Sequence, residues 1–247
     1  MREQELLLPG ERIDDLGRKG YRIIQNPAAF CFGMDAVLLS AFAGVGAQEK
    51  VLDLGTGTGI LPILMEARAG GGSFAGLEIQ EDMAAMAARS VRLNGLEERI
   101  RIECGDIRKA SEIFGRASFD VVTSNPPYLK GNDGRQSPDT GRAIARHELL
   151  CTLEDVVREA CLCVRPGGRF CLVHRPHRLA EILSCLRAHR LEPKRLRMVH
   201  PHAGDAANLV LIESVRGGNQ WLSVEPPLIV YREDGSYTEE IHTIYYS

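Results

Sequence analysis

The sequence lacks long hydrophobic runs, since no stretch approaches the roughly 18 consecutive apolar residues that a membrane-spanning helix requires. The first residues, MREQELLLPGERIDDL, also lack the extended apolar segment of a secretory signal peptide. We therefore expect a cytoplasmic protein. The 247 residues are 44% hydrophobic and 26% charged, which is the ordinary composition of a globular enzyme.

Paired metal ligands are also lacking. The seven cysteines are an odd number, and several lie inside apolar runs such as EACLCV, where a small thiol packs well. Cys161 and Cys163 lie two residues apart in a predicted helix, so their side chains point to different faces. Because no second Cys/His pair follows at zinc-finger spacing, we predict no metal site.

An excess of positive charge is absent from the chain as a whole, which has a net charge of −3. The charge is unevenly distributed, however, because residues 165–197 contain nine basic and two acidic residues. An arginine-rich segment of this kind is typical either of a phosphate-binding surface or of a solvated helix face, and the sequence leaves both open. Arg175 and Arg178 are the candidate phosphate contacts within it.

Residues 49–216 alternate strand and helix patterns, which predicts a mainly parallel sheet covered on both faces. Five strand patterns are followed by two more that have no helix between them, so these last two should pair antiparallel. The seven patterns are KVLDLG, SFAGLEI, IRIECGD, SFDVVTS, GRFCLVH, EPKRLRMVHPH and ANLVLIESVR. The predicted fold class is α/β, a Rossmann-like seven-stranded sheet with helices on both faces and an antiparallel hairpin at its end.

The two ends of the chain differ from this core. Residues 1–48 predict an N-terminal cap with a YRIIQ strand and an MDAVLLSAFA helix. Residues 49–216 form the predicted catalytic domain, and residues 217–247, rich in glycine and tyrosine, a C-terminal extension packed on it. The most loop-like stretch is GNDGRQSPDTG, residues 131–141, shortly after the fourth strand pattern.

A glycine-rich turn follows the first core strand in VLDLGTGTG, residues 51–59. Dinucleotide sites use GxGxxG to lay a pyrophosphate on a helix end, whereas this turn is GxGxG with an acidic residue two places before it. S-adenosylmethionine has no pyrophosphate and offers an ammonium and a sulfonium, which a carboxylate favours. The spacing therefore predicts an S-adenosylmethionine site, with candidate residues Asp53, Gly55, Thr56, Gly57 and Gly59.

Two further acids follow the next two strand patterns. Glu78 ends GLE, where a carboxylate can accept hydrogen bonds from both ribose hydroxyls. Asp106 follows the third pattern and can accept from the adenine amino group of the cofactor. Their neighbours Ile79 and Ile107 belong to the same predicted site. Three acids at three successive strand ends, behind one glycine turn, indicate a cofactor site far more strongly than any single acid.

The fourth strand pattern ends in NPPY, which is Asn125, Pro126, Pro127 and Tyr128. An exocyclic amino group is a weak nucleophile because its lone pair is delocalised into the ring. The Asn125 side-chain oxygen and the Pro126 carbonyl can accept its two hydrogens and localise that lone pair, while two prolines stiffen the turn. Tyr128 can stack on the planar group. Asn125 is therefore a candidate for both catalysis and cofactor binding.

With these motifs the chain resembles the bacterial tRNA(Val) adenine-37 N6-methyltransferases along its whole length. The similarity includes FCFGMDAVLLSAFA near the start, ARHELLCTLEDVV after NPPY and LIVYREDGSYTEEIHTIYY at the end. The resemblance implies N6-methylation of the tRNA adenine 3′ of the anticodon, with the base extruded against Tyr128. It also implies a cap-helix contribution from Met34 and Asp35, and phosphate contacts from Arg142, Arg146 and His147.

Two alternatives stay open from the residues alone. A glutamine side-chain amide has the same planar NH2 group as adenine, so NPPY also fits a glutamine-amide N5-methyltransferase acting on a translation factor. A non-catalytic module that binds S-adenosylmethionine or RNA is the other alternative, although such a protein does not need the NPPY geometry. The sequence does not indicate an oligomeric state.

Overall fold

The computed structural model describes residues 3–28, 31–126 and 151–246. The strands found there are β1 (Arg12–Asp15), β2 (Arg22–Gln25), β3 (Lys50–Leu54), β4 (Ser73–Glu78), β5 (Ile100–Cys104), β6 (Phe119–Ser124), β7 (Val164–His174), β8 (Leu191–His200), β9 (Leu209–Arg216), β10 (Ser223–Val224) and β11 (Leu228–Ile229). The α-helices are α1 (Met34–Phe42), α2 (Ile60–Ala69), α3 (Glu81–Leu93), α4 (Ala110–Phe114), α5 (Leu153–Cys163), α6 (Leu179–Ala188) and α7 (Glu239–Tyr246).

The central sheet has the strand order β8-β9-β7-β6-β3-β4-β5. Neighbouring strands from β7 to β5 in this order pair parallel, whereas β9 pairs antiparallel with both β7 and β8. The predicted fold class and the predicted antiparallel pairing of the last two core strands are therefore confirmed. The order reverses between β3 and β6, the kind of switch point at which open α/β sheets bind ligands.

The central strands point alternate apolar side chains to opposite faces of the sheet. Val51 and Val121 pack on one face with α1, α2 and α3, which we call the α1 face. Leu52 and Leu54 pack on the other with α4, α5 and α6, which we call the α5 face. Because both faces are covered, the core strands are near-continuous apolar runs in the sequence.

The main helices begin and end at recognisable capping residues. The Thr152 hydroxyl accepts the Asp155 N–H at 3.2 Å, and the Asp155 carboxylate accepts the Thr152 N–H at 3.0 Å, which forms a capping box at the start of α5. The predicted helix after the second core strand is α3, which ends just before Gly95 with its positive φ of 66°.

The segment RPGG, residues 165–168, is typical of a turn that ends a helix, but the structure places it inside β7. Phe119 pairs with Val164, but the next pair joins Val121 to Arg169, so the intervening residues of β7 bulge out of the ladder. Gly167 has a φ of +75° at this bulge. Turn-forming residues are accommodated here as an irregularity within one strand.

The N-terminal segment forms a hairpin in which β1 pairs antiparallel with the predicted strand β2. Its anchor to the core is Glu66, a fully buried carboxylate on α2. The Tyr21 hydroxyl donates to Glu66 at 2.8 Å, the Arg99 guanidinium also donates to it, and the Lys19 ammonium lies 3.7 Å away. A buried acid with several partners holds the hairpin against α2 and α3.

The C-terminal segment continues the sheet rather than forming only irregular structure. Strands β10 and β11 both pair parallel with β8 at the outer edge of the sheet. Helix α7 follows and buries Ile241. The Arg68 guanidinium donates to the Ile244 carbonyl at 2.6 Å, which satisfies one carbonyl of the last turn of α7.

In the part of the chain that the structure describes, no helix is long and apolar enough to cross a membrane. All seven cysteines lie in that part, and all are free thiols. Within the same residues no group of three or more His, Cys, Asp or Glu side chains is arranged to hold a metal ion.

Candidate functional site

The register of the sheet brings four of the predicted segments together. Leu54 lies opposite both Leu77 on β4 and Ser124 on β6, and Glu78 lies opposite Cys104 on β5. The turns that follow β3, β4, β5 and β6 therefore share one edge of the sheet, which we call the carboxyl edge. The glycine turn, Glu78, Asp106 and Asn125 all lie along it.

The glycine turn requires glycine at three positions, because Gly55, Gly57 and Gly59 have φ values of +79°, +56° and +83°. The turn is also tied to the neighbouring strand. The amides of Gly55 and Thr56 both donate to the Leu77 carbonyl at 2.9 Å. These two amides therefore fix the turn against β4.

Asp53 is the last residue but one of β3, lies on the α1 face and is fully buried. Its Oδ1 accepts a hydrogen bond from the Thr123 hydroxyl at 2.8 Å, whereas Oδ2 has no hydrogen-bond partner. Burial raises the pKa of Asp53 to about 7, against the opposing effect of the Thr123 hydrogen bond and with a smaller upward effect of the Glu78 charge. Because Asp53 is already buried, pairing it with a positively charged ligand group costs the carboxyl little further desolvation.

Thr56 adds a second unsatisfied polar atom at the same place. Its Oγ1 is buried without a hydrogen-bond partner. Its side chain packs on Gly76, where any Cβ would lie only 2.8 Å from Thr56 Oγ1. Among the described residues, buried side-chain polar atoms without a partner number three, and two of them are Asp53 Oδ2 and Thr56 Oγ1. Such atoms are rare in native interiors and are commonly completed by a ligand or by water.

Glu78 is held rigidly at the end of β4. One carboxylate oxygen accepts the Gly57 N–H at 3.0 Å, and the other accepts the Gln80 N–H at 3.0 Å. The Gln80 side-chain amide also donates weakly to Oε1 at 3.5 Å. Oε2 therefore keeps a free lone pair, and Oε1 gains one when this weak bond is released, so the carboxylate is able to accept from a diol. The Gly57 hydrogen bond also couples Glu78 directly to the glycine turn.

Asp106 has more partners than its predicted role requires. Its carboxylate caps the 3-10 helix Ile107–Lys109 by accepting the Arg108 N–H at 2.9 Å, and it also pairs with the Arg108 guanidinium. The side-chain hydrogen bond from Arg108 lowers the pKa of Asp106. In this structure a solvent-facing arginine therefore occupies the carboxylate that the sequence assigns to the adenine amino group.

Two isoleucines provide apolar surface beside the turn. Ile107 Cδ1 lies 3.7 Å from the position that a Cβ on Gly55 would take. Ile79 is 40% exposed, which is uncommon for a large aliphatic side chain directly after a core strand. Both are suited to contact a planar ring.

Asn125 and Pro126 directly follow β6 and are half-buried. The strand end is fixed by Ser124, whose hydroxyl donates to the Leu54 carbonyl at 2.8 Å. The turn that carries Asn125 is thereby tied to the strand that carries Asp53. Several predicted site residues lie outside the described residues, as does the loop 131–141; they are Pro127, Tyr128, Arg142, Arg146 and His147.

Met34 and Asp35 form the first turn of α1, where the Asp35 carboxylate accepts the Ala36 N–H at 3.0 Å. The other end of α1 is located by Gly44, whose carbonyl accepts from the Arg169 guanidinium at the opposite edge of the sheet. Helix α1 packs on the α1 face, so its first turn points toward the carboxyl edge on the same face as Asp53.

The basic segment 165–197 does not form one surface. Arg165 and Arg169 lie at the amino edge of the sheet and pair with Asp120 and Glu49, respectively. Arg195 pairs with Glu213, and its guanidinium lies 3.9 Å from the Phe42 ring centroid. Most of these cations are therefore structural partners of carboxylates or aromatic rings, and the prediction of a single phosphate-binding patch over the whole segment is not supported by their placement.

The two arginines singled out from that segment lie at the carboxyl edge. Arg175 follows β7, and its guanidinium donates to the Asn208 carbonyl at 2.9 Å. Arg178 ends the adjoining 3-10 helix and pairs with Glu181 at 2.6 Å. Both lie at the end of the strand next to β6, and thus on the side of the site that the Asn125 turn occupies.

Thr123 is a site residue that the sequence analysis missed. It is a fully buried polar residue, and the register places it directly opposite Asp53. A polar residue two positions before Asn125, on the same face as the acid of the neighbouring strand, is the signal that identifies it.

Comparison with known proteins gives one family and a set of similar chains. A family model described as a methyltransferase domain matches residues 46–199. The tRNA1(Val) (adenine(37)-N6)-methyltransferase of Porphyromonas gingivalis strain W83 is 33% identical over 192 residues, which are 74% of this chain and 74% of the relative. The protein of the same name from Aeromonas hydrophila is 27% identical over 90% of this chain and 91% of its own length.

Two solved structures share the fold. A protein described as a predicted O-methyltransferase from Agrobacterium tumefaciens has a TM-score of 0.71 and 24% identity, over 85% of this chain and 95% of its own. Geranyl diphosphate C-methyltransferase from Streptomyces coelicolor, solved with S-adenosyl-L-homocysteine, has a TM-score of 0.53 and 14% identity, over 74% of this chain and 78% of its own.

Proposed function

The chain belongs to the family of the tRNA1(Val) (adenine(37)-N6)-methyltransferases, and from this premise we propose that it methylates N6 of the tRNA(Val) adenine 3′ of the anticodon. The methyl donor is S-adenosylmethionine. The observation that carries the proposal is the pairing of two strand ends, where Asp53 and Thr56 leave unsatisfied polar atoms behind the glycine turn and Asn125 follows the adjacent strand. A cytoplasmic location belongs to the same proposal.

The residues at the carboxyl edge fit this cofactor. When bound, S-adenosylmethionine supplies an electrophilic methyl group on a sulfonium. The buried Asp53 carboxylate stabilises the positive charges of the ligand in surroundings of low dielectric. Glu78 accepts hydrogen bonds from the ribose hydroxyls with the lone pairs that Gly57 and Gln80 leave free.

The adenine moiety of the cofactor is held by the next turn along the edge. Ile79 and Ile107 would provide apolar contacts to the ring, and Asp106 would accept from its amino group. For that hydrogen bond Asp106 shares its carboxylate with Arg108 or releases it. Met34 and Asp35, in the first turn of α1, close the site from the α1 face.

The acceptor is a planar amino group held by the turn after β6. The Asn125 side-chain oxygen and the Pro126 carbonyl accept the two hydrogens on N6, which directs the nitrogen lone pair toward the methyl group. The next two residues of the motif, Pro127 and Tyr128, are assigned their roles from the sequence alone: a proline restricts the backbone, and a tyrosine ring would stack on the extruded base. A strong base is not needed, because the proton leaves after the nitrogen has acquired the methyl group.

The tRNA backbone would be bound by two arginines at the carboxyl edge and by basic residues that follow the turn in the sequence. Arg175 and Arg178 lie at the end of β7, and Arg142, Arg146 and His147 follow the NPPY motif in the sequence. Binding through several phosphates should weaken steeply as salt concentration rises.

The test is incubation of the protein with methyl-labelled S-adenosylmethionine and, in parallel, unmodified total tRNA and total protein. We expect label in tRNA, recovered by nucleoside mass spectrometry as N6-methyladenosine from the anticodon loop. Label in a glutamine of the protein fraction, with tRNA unlabelled, would refute the proposed acceptor and favour the glutamine-amide alternative.

A further inference from the structure

A row of three residues crosses the sheet on the α1 face, just before the strand ends. Asp53 on β3 lies opposite Gly76 on β4 and opposite Thr123 on β6. Asp53 and Thr123 are both fully buried. The acid that faces the cofactor site therefore has its immediate surroundings set by one glycine and one hydroxyl.

The Thr123 hydroxyl has one proton, and it donates that proton to Asp53 Oδ1 at 2.8 Å. This contact fixes which carboxylate oxygen is occupied and which is left without a partner. The unoccupied oxygen is Oδ2, which is the atom available for the positive charge of a ligand. Thr123 lies two residues before Asn125, so β6 carries the partner of Asp53 and leads directly into the turn that contains Asn125.

Thr56 flanks the carboxyl from the other side. It packs over Gly76, the residue opposite Asp53, and a Cβ there would collide with it at 2.8 Å. Gly76 thus makes room for Thr56 beside the acid. The two hydroxyls contribute differently, since Thr123 forms a hydrogen bond with Asp53 whereas Thr56 Oγ1 has no partner in this structure.

We propose that Thr123 is a positioning residue, whose hydroxyl keeps the Asp53 carboxyl charged and leaves Oδ2 free for the cofactor. This inference rests on the proposed function for the identity of the ligand. It extends that function because one buried hydrogen bond between β3 and β6 connects the side of the site that binds the methyl donor, at Asp53, with the side that binds the amino group, at Asn125.

The physical basis is the competition that decides the charge of Asp53. Burial favours the neutral acid and raises the pKa of Asp53 to about 7, whereas the Thr123 hydroxyl favours the carboxylate. The Thr56 hydroxyl is near enough to Asp53 to act in the same direction as Thr123, although it does not meet hydrogen-bond geometry in this structure, and the charge of Glu78 on β4 acts against both. With the pKa near neutrality, loss of one donor converts most of the acid to its neutral form at physiological pH.

The first test is a pH titration of Asp53 in the cofactor-free protein, in which the carboxyl carbon is monitored by NMR. We expect Thr123→Val to raise the pKa of Asp53 by about one to two pH units, because a hydrogen bond to a charged group contributes on that scale. Thr123→Ser, which keeps the hydroxyl, should restore it. An unchanged pKa of Asp53 in Thr123→Val would overturn the inference, and Thr123→Ala answers the same question if the valine variant does not fold.

The second test is calorimetry with S-adenosyl-L-homocysteine between pH 6 and pH 9. At pH 7 the higher pKa leaves a smaller charged fraction, so Thr123→Val should bind roughly 5- to 50-fold more weakly than the unaltered protein. The difference should narrow to about twofold or less at pH 9, where the unaltered carboxyl is charged and that of the variant is at least about half charged. A deficit that is equal at every pH would indicate general damage to the site and would contradict the positioning role.

A matched control is Ser214→Ala, which removes another fully buried hydroxyl from the same sheet, one that donates to the Phe170 carbonyl at 3.3 Å. It should leave the Asp53 titration and the calorimetry unchanged. If the unaltered protein does not bind S-adenosyl-L-homocysteine, the proposed function fails, and the NMR titration still decides the role of Thr123 by itself.

Discussion

Asp120 at the amino edge of the central sheet and Asp53 at its carboxyl edge have opposite environments. At the amino edge, Asp120 accepts the Lys50 N–H at 2.8 Å and pairs with Arg165, and Glu49 accepts two hydrogen bonds from Arg169. At the carboxyl edge, Asp53 has one partner, Thr123, and one oxygen with none. The pKa values of the two acids differ in the same way. The hydrogen bond from the Lys50 N–H lowers the pKa of Asp120, whereas burial raises the pKa of Asp53.

The difference distinguishes carboxylates that hold the fold together from those kept for a ligand. Glu66 shows that this chain can satisfy a buried acid completely, with Tyr21, Arg99 and Lys19 around it. Asp53 is equally buried and is left incomplete. An unsatisfied buried acid lowers stability, so its presence at a strand end is explained by a binding role.

The largest expected effect is on the acceptor side of the carboxyl edge. Asn125→Ala removes one of the two acceptors for the amino hydrogens, and we expect methyl transfer to fall by roughly 1,000-fold, as for loss of one preorganised hydrogen-bonding group in other active sites. Affinity for S-adenosyl-L-homocysteine should stay within about twofold. Rates with labelled cofactor and calorimetry measure both. Turnover near that of the unaltered protein would remove the proposed role of Asn125.

The control for this substitution comes from the opposite edge. Asp120→Asn alters a carboxylate of the same sheet whose partners are Lys50 and Arg165. We expect it to cost at most about 1 kcal/mol of stability, as for a partly exposed ion pair, and to leave methyl transfer intact. A large loss of transfer in this variant would mean that the two edges are not functionally distinct.

The second effect is that one substitution of Asp53 should weaken cofactor binding and increase the stability of the fold. Asp53→Asn removes the charge, and we expect affinity for the cofactor to fall by about 10- to 100-fold at pH 8. The same change should stabilise the cofactor-free fold. Since burial raises the folded-state pKa to about 7, the carboxyl weakens the fold as pH rises from about 4 to 7, and that loss is complete above pH 7.

The increase in the free energy of unfolding of Asp53→Asn is limited by the difference between the folded and unfolded pKa values of Asp53, which corresponds to at most about 4 kcal/mol. We expect about 1–3 kcal/mol at pH 8. Denaturant unfolding of both proteins at pH 5 and pH 8 measures it, and the advantage of the variant should be larger at pH 8. A variant that is less stable at pH 8 would show that the Asp53 carboxylate is satisfied after all.

A third effect compares arginines of the two edges in RNA binding. Charge reversal at Arg175 and Arg178 should weaken tRNA binding by about tenfold at moderate salt and reduce the salt slope by roughly 1–2. The matched reversal Arg165→Glu lies at the amino edge and should leave tRNA affinity unchanged. Filter binding across a salt series measures both. Equal losses from the two edges would indicate a diffuse electrostatic effect rather than a contact at the carboxyl edge.

The smallest effect concerns the pair between Asp106 and Arg108. Arg108→Ala frees the Asp106 carboxylate, and because the pair is partly exposed we expect cofactor affinity to rise by only about two- to fivefold. Asp106→Asn should lower it. If Arg108→Ala instead weakens binding by tenfold in calorimetry, then the arginine itself contacts the cofactor, and the assignment of Asp106 needs revision.

The core of the fold was predictable because its signals are long and local. Apolar runs such as VLDL and the capping residues of α3 and α5 each mark one element, and the strand-helix alternation gives the sheet. Strands β1, β10 and β11 were not predicted, since four or two residues without apolar alternation leave no periodic pattern. Helix α7 was missed because EEIHTIYY follows a glycine- and tyrosine-rich segment that indicates irregular structure.

The site was predictable only where a motif sets the geometry. The glycine turn, Glu78 and Asn125 follow from strand ends that parallel pairing brings to one edge. Thr123 can be identified from the sequence only once the register between β3 and β6 is known, and the Arg108 partner of Asp106 depends on a side-chain contact that the sequence does not specify. The basic segment 165–197 shows the opposite case. Its arginines are neighbours in the sequence, but the structure distributes them over both edges of the sheet.

The most direct test of the account is a crystal structure of the protein with S-adenosyl-L-homocysteine. We expect the sulfur at the carboxyl edge beside the glycine turn, with Glu78 on the ribose and with the Asn125 side-chain oxygen and Pro126 carbonyl turned toward the sulfur. A cofactor bound there while the Asn125 turn faces away from it, or is blocked by packed side chains, would contradict the claim that this edge joins a methyl donor to an amino group.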